Sequence, residues 1–194
     1  MKHSIIAFGL IVGLVLMTMF LFNEDPVERS NDPLEDEDIP FTYSLPEFQD
    51  YELMMMRLSK HDDRDEIISS YGTGVDENSM DEFDGFDETD DLMIEGPYSF
   101  EKEKVYIVQS NELLGFRGDF DSYEDATQNS NYLQYTLDEL DGWYLHEGRH
   151  IQLFTEIDET YFLIHYNQPG SERSQEAIEA IVENLMRIVR NGMD

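Results

Sequence analysis

Residues 142–190 read GWYLHEGRHIQLFTEIDETYFLIHYNQPGSERSQEAIEAIVENLMRIVR, and the pattern changes period halfway along. Its first part holds three short runs rich in aromatic and β-branched residues: Gly142–His146, His150–Ile157 and Thr160–Tyr166. Such runs favour extended backbone, and the polar breaks Glu147-Gly148-Arg149 and Asp158-Glu159 between them are short enough to be hairpin turns. From Ser171 to Arg190 the apolar residues Ile178, Ile181, Val182, Leu185, Ile188 and Val189 recur at three and four positions, which predicts one apolar stripe on a helix. Arg187 and Arg190 fall near its C-terminus, where the helix dipole favours positive charge. A meander of antiparallel strands has one apolar face to cover, and a helix that follows it supplies the cover. The expected fold class is therefore α+β, an antiparallel sheet covered by a C-terminal helix.

Working outward, Lys104–Ser110 and Tyr132–Leu137 read as further strands, the second with Leu133, Tyr135 and Leu137 on one face, and Ser122–Ser130 as a short helix. Nearer the N-terminus, Pro46 is placed to open a helix on which Phe48, Tyr51, Met55 and Leu58 share a face. Met54, Met55 and Met56 are consecutive and cannot all face one side of it; a methionine-rich ligand surface is one reading, and packing against the main domain is the expected one. A second helix is expected over Asp62–Tyr71, ended by Gly72 and Gly74. Residues 72–96 read as an acidic loop, with nine carboxylates in the sixteen positions from Asp76 to Asp91. Calcium is the cation such a cluster suggests. Yet with Gly85 at the glycine position of an EF-hand loop, Met80 falls at the first ligand position, so a solvated loop is expected.

One motif carries specific chemistry. His146-Glu147-Gly148-Arg149-His150 matches H-E-x-x-H. On a helix, His146 and His150 would share a face and could hold Zn²⁺ while Glu147 took a proton from the bound water. Gly148 and the strand-forming flanks oppose a helix and favour a hairpin, in which the two histidines could still approach across the turn. A third ligand would come from His165, Glu172 or Glu176, none singled out by spacing. Arg117-Gly118-Asp119 spells an adhesion tripeptide, here read as coincidence. Trp143 with Tyr144, Tyr132 with Tyr135, and Tyr161 with Phe162 could line a sugar or peptide pocket, although at least one face of each strand must serve the core.

At the N-terminus, Ser4–Phe22 is an uncharged run of 19 residues, enough to span a bilayer core as a helix. Lys2 precedes it, and Glu24, Asp25 and Glu28 follow it, so residues 1–3 are expected in the cytoplasm and the bulk of the chain outside. A cleaved signal peptide is the competing reading, but Met19–Asn23 offers no small-residue cleavage site. Gly9 and Gly13 form a G-x-x-x-G that chance also explains. Residues 23–40, acidic and broken by Pro26, Pro33 and Pro40, read as an extended spacer, leaving 41–194 as the extracytoplasmic domain.

The whole chain has 194 residues, no cysteine, and a formal charge of −32 from 44 acidic and 12 basic side chains. Disulfides, thiolate metal sites and a lipidated cysteine are excluded. Nucleic acid and anionic lipid surfaces would be repelled, and acidity of this size suits a salt-rich or alkaline setting. Residues 141–185 resemble the closing hairpins and helix of small extracytoplasmic domains, of uncharacterised function, in membrane-anchored Gram-positive proteins. The resemblance implies the same hairpins and helix and attaches no activity to them. The expectation is a membrane-anchored extracytoplasmic domain, without catalytic activity or cofactor, that binds a protein or an envelope component through its sheet or its methionine-rich segment. The alternative is a zinc-dependent hydrolase built on His146, Glu147 and His150.

Overall fold

The computed structural model describes residue 34 and residues 37–60, 64–80, 91–116, 121–128, 130–167 and 173–193. The chain divides into two compact units, Met1–Glu35 and Asp36–Asp194. Ser4–Phe22, most of the spacer and Arg117-Gly118-Asp119 lie outside the described residues, and no helix among the described residues is long and apolar enough to cross a membrane.

The second unit is α+β. Its strands are β1 (Glu52–Lys60), β2 (Asp65–Thr73), β3 (Asp76–Met80), β4 (Asp91–Glu95), β5 (Tyr98–Ser99), β6 (Lys102–Ser110), β7 (Leu133–Leu137), β8 (Leu140–Glu147), β9 (His150–Ile157) and β10 (Thr160–Asn167). Helix α1 (Tyr123–Thr127) precedes β7, and α2 (Gln175–Asn191) closes the unit. Eight strands form one antiparallel sheet in the order β4-β1-β2-β6-β10-β9-β8-β7, while β3 and β5 make a separate ribbon.

The expected hairpins are present. β8, β9 and β10 pair in register, from Glu147 opposite His150 and from Thr160 opposite Ile157. Asp158 and Glu159 turn the second hairpin with φ of 48° and 65°, the left-handed geometry a tight two-residue turn requires, here adopted without glycine. Ser122 and Ser174 cap α1 and α2, each side-chain oxygen accepting from a backbone N–H three residues on.

Alternation along the strands divides the side chains between two faces. On the α2 face, Tyr71, Val105, Ile107, Tyr144, Ile151, Leu153, Phe162 and Ile164 form one core with Ile178, Val182, Leu185, Met186 and Val189 of the helix. Burying each of these helix residues is worth roughly 1.5–3 kcal/mol, which outweighs any intrinsic helix preference. Gly142 lets α2 approach, because a Cβ there would stand 2.8 Å from the sulfur of Met186. The far face has its own apolar layer, Met55, Ile68, Val108 and Leu114, and an aromatic group around Tyr123, which is buried against Phe154 at 5.1 Å and Tyr161 at 5.5 Å between ring centres.

Two of the expected helices are strands. Residues 52–60 and 65–73 pair as β1 and β2 at the side of the sheet next to β6. Met54, Met55 and Met56 are all buried, which a strand covered on both faces permits and a helix with one apolar side does not. The pairing shifts by one residue between Leu53 and Met55, making Met54 the extra residue of a bulge, and its side chain lies beside Gly72, where no side chain competes. The acidic stretch 72–96 is likewise not all loop, since β3 and β4 occupy its two ends and residues 81–90 lie outside the described residues.

The segment before β1 crosses the α2 face as a strap. Gln109, fully buried, donates from Nε2 to the Ser44 carbonyl at 2.9 Å and accepts from the Ser44 N–H at 2.6 Å. The Ser44 hydroxyl donates to the carbonyl of Val189 at 2.5 Å, and the Leu45 N–H to that of Gly192 at 2.9 Å. Gly192 permits this approach, for a Cβ there would meet the Leu45 backbone at 2.8 Å. The strap is thus clasped to the middle of the sheet and to the end of α2.

Candidate functional site

Beyond the clasp the strap turns alongside α2, and the space between them is a groove of about 800 Å³. Glu47, Phe48, Gln49, Asp50 and Tyr51 form one wall. The opposite wall is the side of α2 carrying Ala177, Ala180, Ile181, Asn184, Arg187, Ile188 and Asn191, with Tyr166 and Arg173 at one end. These helix positions lie beside the stripe that α2 buries, so the helix packs with one side and leaves the next half-open. The two alanines keep that wall low. From Ala177 to Asn191 the wall runs about 21 Å at ~1.5 Å per residue.

Phe48 holds the strap wall in place by packing on Tyr71 at 4.7 Å and Tyr51 at 5.9 Å between ring centres. The hydroxyls of Tyr51 and Tyr166 are 3.1 Å apart, so one donates to the other. The accepting hydroxyl keeps its own proton for a further partner. Burial raises the Tyr51 pKa well above the ordinary phenol value, with the Tyr166 hydrogen bond and the nearby Asp50 carboxylate adding to it, while the Arg173 guanidinium pulls the other way. The Tyr51 phenol is therefore a neutral donor at any physiological pH. Arg187 is tied to Glu183 at 2.7 Å, whereas Arg173, exposed just before the Ser174 cap, reaches into the Tyr51 neighbourhood.

The motif residues are placed differently. His146 and Glu147 end β8 and His150 begins β9, with Gly148 and Arg149 turning between them and Gly148 at φ 62°. The helix required by the zinc-hydrolase arrangement is not formed. His146 stands opposite Ile151, on the α2 face, and Glu147 opposite His150, on the far face. The two histidines thus point to opposite sides of the sheet and do not approach across the turn, because neighbouring register positions alternate. His150 Nδ1 lies 2.5 Å from Asn167 Oδ1. His165 shares that far face, 6.1 Å from the Tyr106 ring, with its pKa lowered by burial and then by the His150 charge. Glu176 is exposed in the first turn of α2, and Glu172 lies outside the described residues. Among the described residues, no group of three or more His, Cys, Asp or Glu is placed to hold a metal ion.

The aromatic pairs separate by face as well. Tyr144 and Phe162 are buried in the α2 core, while Trp143 and Tyr161 pack with Tyr123 in the far layer. Tyr132 donates to Gln152 on the far side and Tyr135 to Glu183 on the helix side. None of the pairs lines the groove. The aromatics that do, Phe48, Tyr51 and Tyr166, are 115 positions apart between the last two and meet only through the strap and β10. The one signal in the sequence is that two of only 12 basic residues, Arg173 just before the helix and Arg187 within it, fall on the segment that lines the same cleft.

Comparison of the chain with protein-family models, with curated proteins and with solved structures gives no match. The assignment of the site accordingly rests on its own geometry.

Proposed function

We propose that this chain is a membrane-anchored extracytoplasmic binding module that takes its ligand in the groove between residues 47–51 and α2. Residues 4–22 supply the anchor, residues 23–40 hold the domain off the bilayer, and residues 1–3 remain in the cytoplasm. The observation that carries the reading is the composition of the groove. Aliphatic, aromatic and amide side chains share one cleft of ligand size, and two arginines face it in a chain of 44 acidic and 12 basic residues. Such a lining holds and orients a ligand. It offers apolar area for affinity and a few fixed polar groups for specificity.

The groove is tested by methyl NMR of the full chain in detergent, with isotope-labelled isoleucine and a library of small polar and aromatic fragments. Shifts at Ile181 and Ile188, with the core residues Ile107 and Ile164 unmoved, are the expected result. Fragments that shift other methyls while leaving Ile181 and Ile188 in place overturn the assignment. The anchor is tested separately: deletion of residues 4–22 should release the chain from the membrane fraction, and its continued sedimentation with membranes would refute that part.

A further inference from the structure

Resting on the groove as the binding region, we propose that its ligand is an extended peptide with a carboxylate held at Arg173 and the Tyr51–Tyr166 hydroxyl pair. Three features select this chemistry. Arg173 presents planar paired donors at one end of the groove, the geometry that recognises a carboxylate. Beside it, the hydroxyl pair at 3.1 Å leaves one phenolic proton uncommitted, so the end of the groove offers donors.

The amides supply the second feature. Asn184 and Asn191 on the helix and Gln49 on the strap each offer a donor and an acceptor along the groove, as a peptide backbone requires. A plain hydrocarbon chain would strip these amides of water and return no hydrogen bond, at a cost in affinity. Along the same wall Ile181 and Ile188, seven positions apart, give two apolar patches about 10 Å from each other at ~1.5 Å per residue, a distance that about three residues of an extended peptide span at ~3.3 Å each.

Charge supplies the third. A second copy of this chain would bring another −32 formal charge toward the groove, so self-association is disfavoured. A short apolar peptide ending in one carboxylate brings a single negative charge, which meets Arg173 at one end of a groove whose other lining charges are Glu47, Asp50 and Arg187, the last tied to Glu183. The carboxylate can be a C-terminus or an aspartate or glutamate side chain, and the experiment separates the two.

The test measures fluorescence anisotropy of labelled alanine-leucine pentapeptides with the full chain in detergent. One peptide has a free C-terminal carboxylate, one is amidated, and one is amidated but carries a single internal glutamate. The free acid, the glutamate peptide or both should bind roughly ten- to a hundredfold more tightly than the plain amide, the range a charge-assisted hydrogen-bonded contact supplies. Tight binding of the glutamate peptide alone assigns the carboxylate to a side chain, of the free acid alone to the C-terminus, and of both to either; each supports the proposal. Arg173→Gln should remove the preference for the acid, and Arg149→Gln, in the remote hairpin turn, should not. Equal binding of the free acid, the plain amide and the glutamate peptide overturns the carboxylate assignment. No peptide binding at millimolar concentrations, with fragments still shifting Ile181 and Ile188, overturns the peptide class and leaves the groove standing. Failure of both peptides and fragments sinks the groove itself.

Discussion

Replacing Gln109 with methionine isolates the clasp that fixes the groove wall. Methionine keeps the length and flexibility of glutamine and adds no bulk, so the apolar packing around β6 is preserved. What it removes is both hydrogen bonds to the buried Ser44 backbone, at 2.6 and 2.9 Å. If the strap stays in place, an N–H and a carbonyl are left without partners, each costing about 1–3 kcal/mol, or roughly 2–6 kcal/mol together. The strap has an escape, because peeling away returns both groups to water at the expense of the Leu45–Gly192 and Ser44–Val189 bonds and the Phe48–Tyr71 contact. The smaller of the two costs is what will be seen, so the expected loss is about 2–4 kcal/mol. Urea unfolding of the full chain in detergent measures it, and amide exchange at Ser44 and Leu45 shows whether the strap has lifted. In the lifted state the groove loses its Glu47–Tyr51 wall, so peptide affinity should fall as well. A loss under about 0.5 kcal/mol with the Ser44 amide still protected would refute the account of the clasp.

Other expectations follow from single groups. Ser174→Ala removes the α2 cap and should cost about 1 kcal/mol, read from the urea midpoint, with Ser174→Asp restoring most of it. Burial, and then the His150 charge, lower the His165 pKa from its ordinary 6.5, so the unfolded chain takes a proton that the folded one refuses. The contribution of His165 to stability is therefore complete above pH 6.5 and is lost as the pH falls through the lowered folded value. Thermal melts should show that decline diminished in His165→Gln, and an identical pH slope in both proteins would contradict the assignment. Because His146 and His150 face opposite sides of the sheet, His146→Ala should leave zinc affinity unchanged in calorimetry. A large drop would show that the two rings meet after all.

What could be read from the sequence tracks how each strand is buried. β8, β9 and β10 show alternation or end at polar turns, and α2 shows a single apolar stripe, so residues 142–190 carry their own structural signal. β1 and β2 do not. With Met54, Met55 and Met56 all buried, β1 is covered on both faces, and a continuous apolar run has no period to reveal a strand. The three-and-four spacing of Phe48, Tyr51, Met55 and Leu58 is an accident of a strap running into a bulged strand. The H-E-x-x-H motif misleads in the opposite way: its letters suggest chemistry, while Gly148 and the flanking strand formers already marked a turn. The groove was illegible because its walls come from residues 47–51, 166 and 173–191, joined only by tertiary pairing. No local pattern could announce that Tyr51 and Tyr166 share a hydrogen bond.

The position of the clasp has a mechanical meaning. On the proposal that residues 4–22 sit in a membrane, any tension between bilayer and ligand enters the domain along the strap, at Thr42 and Ser44, before it reaches the groove. The first bonds to feel it are the one Thr160 donates to the Thr42 carbonyl, the pair that Ser44 exchanges with Gln109, and the one the Ser44 hydroxyl donates to the Val189 carbonyl. While they hold, the force passes into the centre of the sheet and the end of α2, and the tyrosine wall feels none of it. Once they part, the same pull draws residues 47–51 away from the helix and opens the groove. The clasp would then act as a fuse, setting the force above which a bound ligand is let go.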